Sequence, residues 1–165
     1  IDFAIAGISI TDDRQEEFDF TDSYYENTIS MAVNKDSGIE DRKDTQGKII
    51  GVEEGTANAR YVDEYMEEGN TVKYFSSMEE VFKNLEEGKI DVTFYDTTGV
   101  DYYLENHTDT NIEALSEELN SEQSNYGIMF AKGYKYLDHF NVSLQVLNTD
   151  GEYQEIKDRW IGTDN

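Results

Sequence analysis

Three places in the chain put polar groups where they could do chemistry. Arg14 lies three residues past Thr11 in "TDDRQEE", just after the apolar run "AGISI". A guanidinium there can hold a carboxylate through two parallel, charge-assisted hydrogen bonds, a geometry that lysine cannot reproduce. Gly55 lies in "GVEEGTANA", between an apolar run and a helical pattern. Glycine lets backbone come close to a ligand, and the N–H groups of Thr56, Ala57 and Asn58 would point outward from a helix N-terminus, which favours an anion. The stretch lacks the lysine and the spacing of a phosphate-binding P-loop. Asp96 ends the apolar run "IDVTFY", where its carboxylate can accept from an ammonium group. Each feature has a plainer alternative. Arg14 can pair with its acidic neighbours, Thr56 can cap the helix after a tight turn, and Asp96 can cap the helix that follows it. Taken together, an anion clamp and a cation acceptor match the charge pattern of a free α-amino acid.

Composition narrows the classes of function. The chain has 165 residues, 37 acidic against 13 basic, and a formal net charge of −24. That balance argues against a nucleic-acid binder, since little here could neutralise phosphates at scale. The same field disfavours anionic ligands and favours neutral or cationic ones, although surface acids also serve solubility alone. Twelve tyrosines and eight phenylalanines argue for a packed core despite the mean hydropathy of −0.74. No apolar run has the length of a membrane-spanning helix and no signal peptide precedes Ile1, so the expectation is a soluble, mature or trimmed chain. With no cysteine, disulfides, thiolate nucleophiles and cysteine metal sites are excluded. His107 and His139 have no ligand partner at metal spacing, so neither a metal nor a cofactor is expected.

The elements that must position these groups are written in the middle of the chain. Up to about Asn34 the text reads as strand, polar turn ("TDDRQEE") and extended chain. "IIGV" (49–52) reads as a buried strand, followed by a helix to about Glu68. "VKYF" (72–75) is a second strand. In "SSMEEVFKNLEEG" Ser77 and Glu80 form a capping box, Met78, Val81, Phe82 and Leu85 share a face, and Gly88 stops the helix. "IDVTFYD" (90–96) is a third strand and "TTGVDYYLENH" a third helix. This alternation predicts parallel strands joined by right-handed crossovers, with ligands beyond the strands' carboxyl ends. Glu53 to Ala57 and Asp96 fall there. "IEALSEEL" and "YGIMFAKG" read as an extended pair, Leu137, Phe140, Leu144 and Leu147 repeat at helical spacing, and "GEYQEIKDRWIG" closes the chain.

"DFAIAGISITDDRQEEFDFTDSYYE", "GKIIGVEEGTANARYVDEY", "VKYFSSMEEVFKNLEEGKIDVTFYD" and "YGIMFAKGYKYLDHFNVSLQVLNTDGEYQEIKDRW" resemble, in order, successive segments of the bacterial solute-binding proteins for polar amino acids. These are two-lobed extracellular or periplasmic receptors of ATP-driven importers, similar in fold to the ligand-binding cores of ionotropic glutamate receptors. The resemblance implies an α/β, type II periplasmic binding protein-like fold with two lobes and a hinge. It places lobe 1 at 1–24 plus 127–165, lobe 2 at 28–123, and hinge strands at 24–28 and 123–127. It gives Arg14 the substrate α-carboxylate, with help from Ser9 and the backbone at Gly7. It gives the N–H groups of Thr56 and Ala57 the rest of the carboxylate site, and Asp96 the α-ammonium. Glu53 falls where the family contacts the distal side chain, with Tyr95 close by, unless Glu53 simply faces solvent.

The resemblance also carries departures. Ala57 stands where many members have threonine, and Ser23 where proline is frequent. The chain begins at what is usually the third strand of lobe 1, so that lobe is expected to be incomplete, as in an N-terminally truncated member. An incomplete sheet leaves an open edge and an uncovered apolar face, and the expectation is self-association, a segment-swapped dimer or a rearranged lobe. The implied function is the substrate-binding component of an amino-acid importer, for a polar or cationic L-amino acid held in the interlobe cleft. The implied partners are a free amino acid and the membrane permease, and the full-length form fits a cell-surface lipoprotein. The alternatives are a cyclic-acid dehydratase of the same fold, with Glu53 as the acid, and a sensor or fragment domain with no role in transport.

Overall fold

The structure is a computed structural model, which describes residues 2–119 and 124–161. Residues 120–123, including the start of the second expected hinge strand, and residues 162–165, including Gly162 of the closing segment, lie outside the described residues. The fold divides into two compact units. One combines the chain up to Glu26 with the chain from Asn125 onward, and the other runs from Asn27 to Ser124. In chain order the first unit contributes β1 (Phe3–Ala4), α1 (Asp12–Glu17) and β2 (Phe18–Phe20). The second contributes β3 (Ile29–Asn34), β4 (Ile49–Glu53), α2 (Ala57–Tyr65), β5 (Thr71–Phe75), α3 (Met78–Glu86), β6 (Val92–Asp96), α4 (Thr97–Asn106) and β7 (Ile112–Leu119). The chain then returns to the first unit with β8 (Met129–Ala131), α5 (Leu137–Asp150) and α6 (Glu152–Trp160).

The second unit is built on a five-stranded sheet in the order β5-β4-β6-β3-β7. Strands β5, β4 and β6 run parallel, while β3 is antiparallel to both β6 and β7. The period-two alternation of each strand divides its residues between the two faces. Ile29, Met31 and Val33 of β3, Ile50 and Val52 of β4, and Val92 and Phe94 of β6 pack on one face with Ala59 and Val62 of α2. Ala32 points to the other face, where Val81, Phe82 and Leu85 of α3 meet Ile90, Val100 of α4 and Ile112. Gly51 also belongs to that face, and the reason is space. A Cβ there would lie 2.3 Å from Ile90 Cδ1 and 3.2 Å from a ring carbon of Phe75.

Helix α3 starts as its sequence indicates but not with the expected reciprocity. Ser77 Oγ accepts the Glu80 N–H at 3.3 Å. The Glu80 carboxylate, however, accepts from the backbone N–H and the hydroxyl of Ser76, at 3.1 and 2.8 Å, one residue earlier than a capping box requires. A second serine at that place offers two donors, and those bonds hold the Glu80 carboxyl below its usual range.

The first unit carries the antiparallel sheet β1-β8-β2. Phe130 of β8 is its centre, 1% exposed and surrounded by the rings of Phe3, Tyr134 and Phe140, whose centroids lie 5.8, 4.7 and 4.9 Å away. Lys132, just past β8, pairs with Asp19 of β2 and donates to the Phe18 carbonyl there, and its bond to the Gln15 carbonyl ties the sheet to α1. The half-buried Leu137, Phe140, Leu144 and Leu147 form the expected stripe on α5. Neither α5 nor α6 has a buried residue, and Val142, Val146, Ile156 and Trp160 are exposed. "IEALSEEL" and "YGIMFAKG" correct the expectation of an extended pair: they contain strands of different sheets, β7 beside β3 and β8 between β1 and β2, because the two stretches belong to different units.

"TDDRQEE" corrects the expectation of a polar turn, because it forms α1. Thr11 is extended at φ −116°, Asp12 and Asp13 occupy the first turn, and the Thr11 carbonyl accepts the Gln15 N–H at 2.9 Å. Early acids complement the helix dipole, and Arg, Gln and Glu are good helix formers.

The core of the second unit is tested at Leu85, which is fully buried. Leu85→Ala should lower the free energy of unfolding by about 2–5 kcal/mol. Val142→Ala, at a site 58% exposed, should change it by less than about 0.5 kcal/mol. Denaturant unfolding followed by circular dichroism measures both, and similar values for the two would contradict this packing.

Candidate functional site

Within the second unit, β4 and β6 are neighbours, and their carboxyl ends bring together the acids Glu53 and Asp96 and the start of α2. Gly55 makes the connection with φ +78°, a left-handed conformation that glycine adopts without a Cβ penalty. Thr56 then caps α2. Its Oγ1 accepts the Ala59 N–H at 3.1 Å and its hydroxyl donates to the Glu53 carbonyl at 2.8 Å. The capping alternative is therefore realised at Thr56, and the cap does not use the N–H groups expected to meet an anion. The first-turn N–H groups of Ala57 and Asn58 have no acceptor within the helix.

At Asp96 the capping alternative fails. The residue occupies the N-cap position of α4, yet its side chain makes no capping bond. Instead Oδ1 accepts two amide hydrogens, one from Asn27 Nδ2 and one from Asn58 Nδ2, each at 3.0 Å. Asn27 and Asn58 are 1% and 3% exposed. Both amides are neutral donors, so they orient the carboxylate without neutralising it. Spacing alone did not mark these two residues; Asn58 stood inside "GTANA", but nothing in the text tied it to a strand end 38 residues later.

Glu53 is half-buried at the end of β4. Burial raises its carboxyl above the usual range, and the negative charge of Asp96 raises it further. Tyr95 precedes Asp96 and takes the opposite face of the strand. Its ring meets Phe82 edge-on at 6.4 Å and fills the space a Cβ at Gly99 would need. It borders a groove of about 460 Å³ lined by Phe82, Tyr102, Tyr103 and His107. Burial, then the charges of Asp96 and Glu53, push its phenol up.

In the first unit, Arg14 of α1 is half-buried and its Nη1 donates to the Ser9 carbonyl at 2.9 Å. Ser9 is buried and bridges to Tyr126. Gly7, at φ +62°, donates its N–H to the Tyr24 hydroxyl at 3.1 Å, and the Tyr126 ring lies 3.5 Å from where its Cβ would be. Arg14, Ser9 and Gly7 thus belong to one unit, and Glu53, Thr56, Ala57, Tyr95 and Asp96 to the other. Among the described residues no group of three or more His, Asp or Glu is arranged to hold a metal ion, and no helix is long and apolar enough to cross a membrane.

Residues 1–163 match the model of the family described as bacterial extracellular solute-binding proteins, family 3. The chain belongs to this family. Its members are binding proteins rather than enzymes, and their fold is the type II periplasmic binding protein fold. The chain is 33% identical over 164 residues to "ABC transporter arginine-binding protein 1" of Escherichia coli K12, covering 97% of the present chain and 66% of that protein. It is 29% identical to "ABC transporter glutamine-binding protein GlnH" of Bacillus subtilis 168, covering 99% and 59%. The chain thus spans about two thirds or less of the length of these curated relatives. Among solved structures it is similar to "An ancestral arginine-binding protein bound to arginine", with a TM-score of 0.87, 31% identity, and coverage of 98% of this chain and 72% of that one.

The coupling of Glu53 and Asp96 is measurable. Asp96→Asn removes the like charge and should bring the Glu53 pKa part of the way back toward its ordinary value, leaving the share due to burial. Carbon-13 titration of the Glu53 carboxyl reads this, and an unchanged value would show that the charge is not felt. Because the folded-state pKa of Glu53 is raised, its ionisation costs the folded state more than the unfolded chain. The stability linked to this group therefore falls as pH rises from the ordinary glutamate value through the raised one.

Proposed function

We propose that this protein binds a free L-amino acid with a cationic side chain, arginine being the probe of choice, and delivers it to the membrane permease of an ATP-driven importer from outside the cell membrane. The α-carboxylate is assigned to Arg14 and to the N–H groups of Thr56 and Ala57, with Ser9 and the backbone at Gly7 supporting that end. The α-ammonium is assigned to Asp96, and the distal cation to Glu53. Tyr95 supports the strand end from the opposite face.

The observation that carries the cationic reading is the pair of acids at one strand-end cluster, where Glu53 is held above its usual pKa by burial and by Asp96. A cation relieves both causes, whereas a ligand carboxylate adds a third like charge. The net charge of −24 acts in the same direction. The arginine-binding relatives support this reading, while the glutamine-binding relative marks a neutral amino acid as its closest competitor.

Calorimetric titration with arginine, glutamine and glutamate tests the proposal. One-to-one binding of arginine and none of glutamate is expected, and no heat with arginine at millimolar concentration would refute it. Arg14→Ala and Asp96→Ala should abolish binding of every amino acid. Glu53→Gln should weaken arginine by about tenfold or more, the scale of one charged hydrogen bond, and leave glutamine nearly unchanged. Arginine affinity should also rise with pH through the raised Glu53 pKa, since a bound cation favours the ionised carboxyl. In Glu53→Gln that slope should disappear.

A further inference from the structure

We infer that Asn58 is a positioning residue that makes the two ends of the proposed amino-acid site one rigid unit, fixing the Asp96 carboxylate relative to the N-terminus of α2. The inference rests on the amino-acid reading above and deepens it, because no role assigned so far belongs to the Asn58 side chain.

Asn58 is the second residue of α2, in the same first turn whose N–H groups are assigned to the α-carboxylate. Its side chain leaves that turn and donates to Asp96 Oδ1 at 3.0 Å. One residue thus joins the anion-binding turn to the cation acceptor at the end of β6. The orientation of the amide is dictated by chemistry, since the reverse would set a carbonyl oxygen against a carboxylate oxygen. The consequence is visible at the other end of the same amide. Asn58 Oδ1 is buried, the residue being 3% exposed, and has no hydrogen-bond partner among the described residues. An orphaned buried acceptor is destabilising, and a smaller or apolar residue would avoid it. Folding alone therefore gives little reason for asparagine here. Holding Asp96 at a set distance from the helix N-terminus does, because a zwitterion presents its carboxylate and ammonium at a fixed separation and gains from both only if the site matches it.

The readout is the ratio of affinities for L-arginine and 5-guanidinopentanoate, which is arginine without its α-ammonium. Asn58→Leu keeps the volume and removes the donor, and Asn58→Ala is the smaller alternative if leucine does not fold. In the wild-type protein the ammonium should favour arginine strongly. In the variants that preference should shrink by about ten- to a hundredfold, the scale of a hydrogen bond to a charged group, while binding of 5-guanidinopentanoate changes little. A merely structural role would weaken both ligands alike, and an unchanged ratio would overturn the inference. A second arm needs no ligand. Unfolding of wild type, Asn58→Ala, Asp96→Ala and the double variant should be non-additive, because the two side chains are bonded. Additive effects would overturn the contact itself. If the wild-type protein shows this coupling but binds no amino acid, the functional reading fails and takes the ligand role of Asn58 with it, leaving the contact standing.

Discussion

A carboxylate at the end of a buried strand must be met by donors, and the way Asp96 meets them organises the rest of the second unit. Two neutral amides, from Asn27 and Asn58, converge on one oxygen. Such donors fix direction and leave the negative charge to be balanced by something else. Their convergence depends on topology. Asn27 stands two residues before Ile29, which pairs with Asp96 across the antiparallel β3–β6 ladder. Asn58 stands in the helix that follows β4, the parallel neighbour of β6. The strand order therefore supplies both donors, and neither is near Asp96 in sequence.

The same topology places Glu53 beside Asp96. Two acids at adjacent strand ends repel, and partial burial reduces the screening that would otherwise soften the repulsion. Elsewhere on this acidic chain, carboxylates are lowered by ordinary partners, as Asp19 is by the Gly133 N–H and Lys132 and Glu87 by Lys89. Glu53 is raised instead. This contrast, more than the total charge, is what supports the proposed cationic ligand over an anionic one.

The second unit covers both faces of its sheet, with α2 on one side and α3 and α4 on the other. Its acids and its helix N-terminus are thus anchored on regular elements with buried side chains behind them, the arrangement that holds a binding constellation in place. In the first unit the anchoring is local. Arg14 is tied to the Ser9 carbonyl, and Gly7 to the Tyr24 hydroxyl, by bonds within that unit.

Much of this was legible in the sequence because the signals were periodic or local. The apolar runs at β4, β5 and β6, the amphipathic pattern of α3 and the glycine turn before Thr56 all concern neighbours along the chain, and the parallel order followed from their alternation. Local rules failed where two local options were close in energy. "TDDRQEE" reads as a polar turn yet forms α1, and the Glu80 carboxylate bonds Ser76 rather than Ser77. Residue types alone nominated Arg14 and Asp96 as charged ends for a zwitterion, but they left open whether Asp96 capped its own helix. Only the tertiary structure decided that it does not, because a cap is made within four residues, whereas the donors that took the carboxylate come from positions 27 and 58. Contacts at that separation are set by strand order and register, which no local pattern encodes.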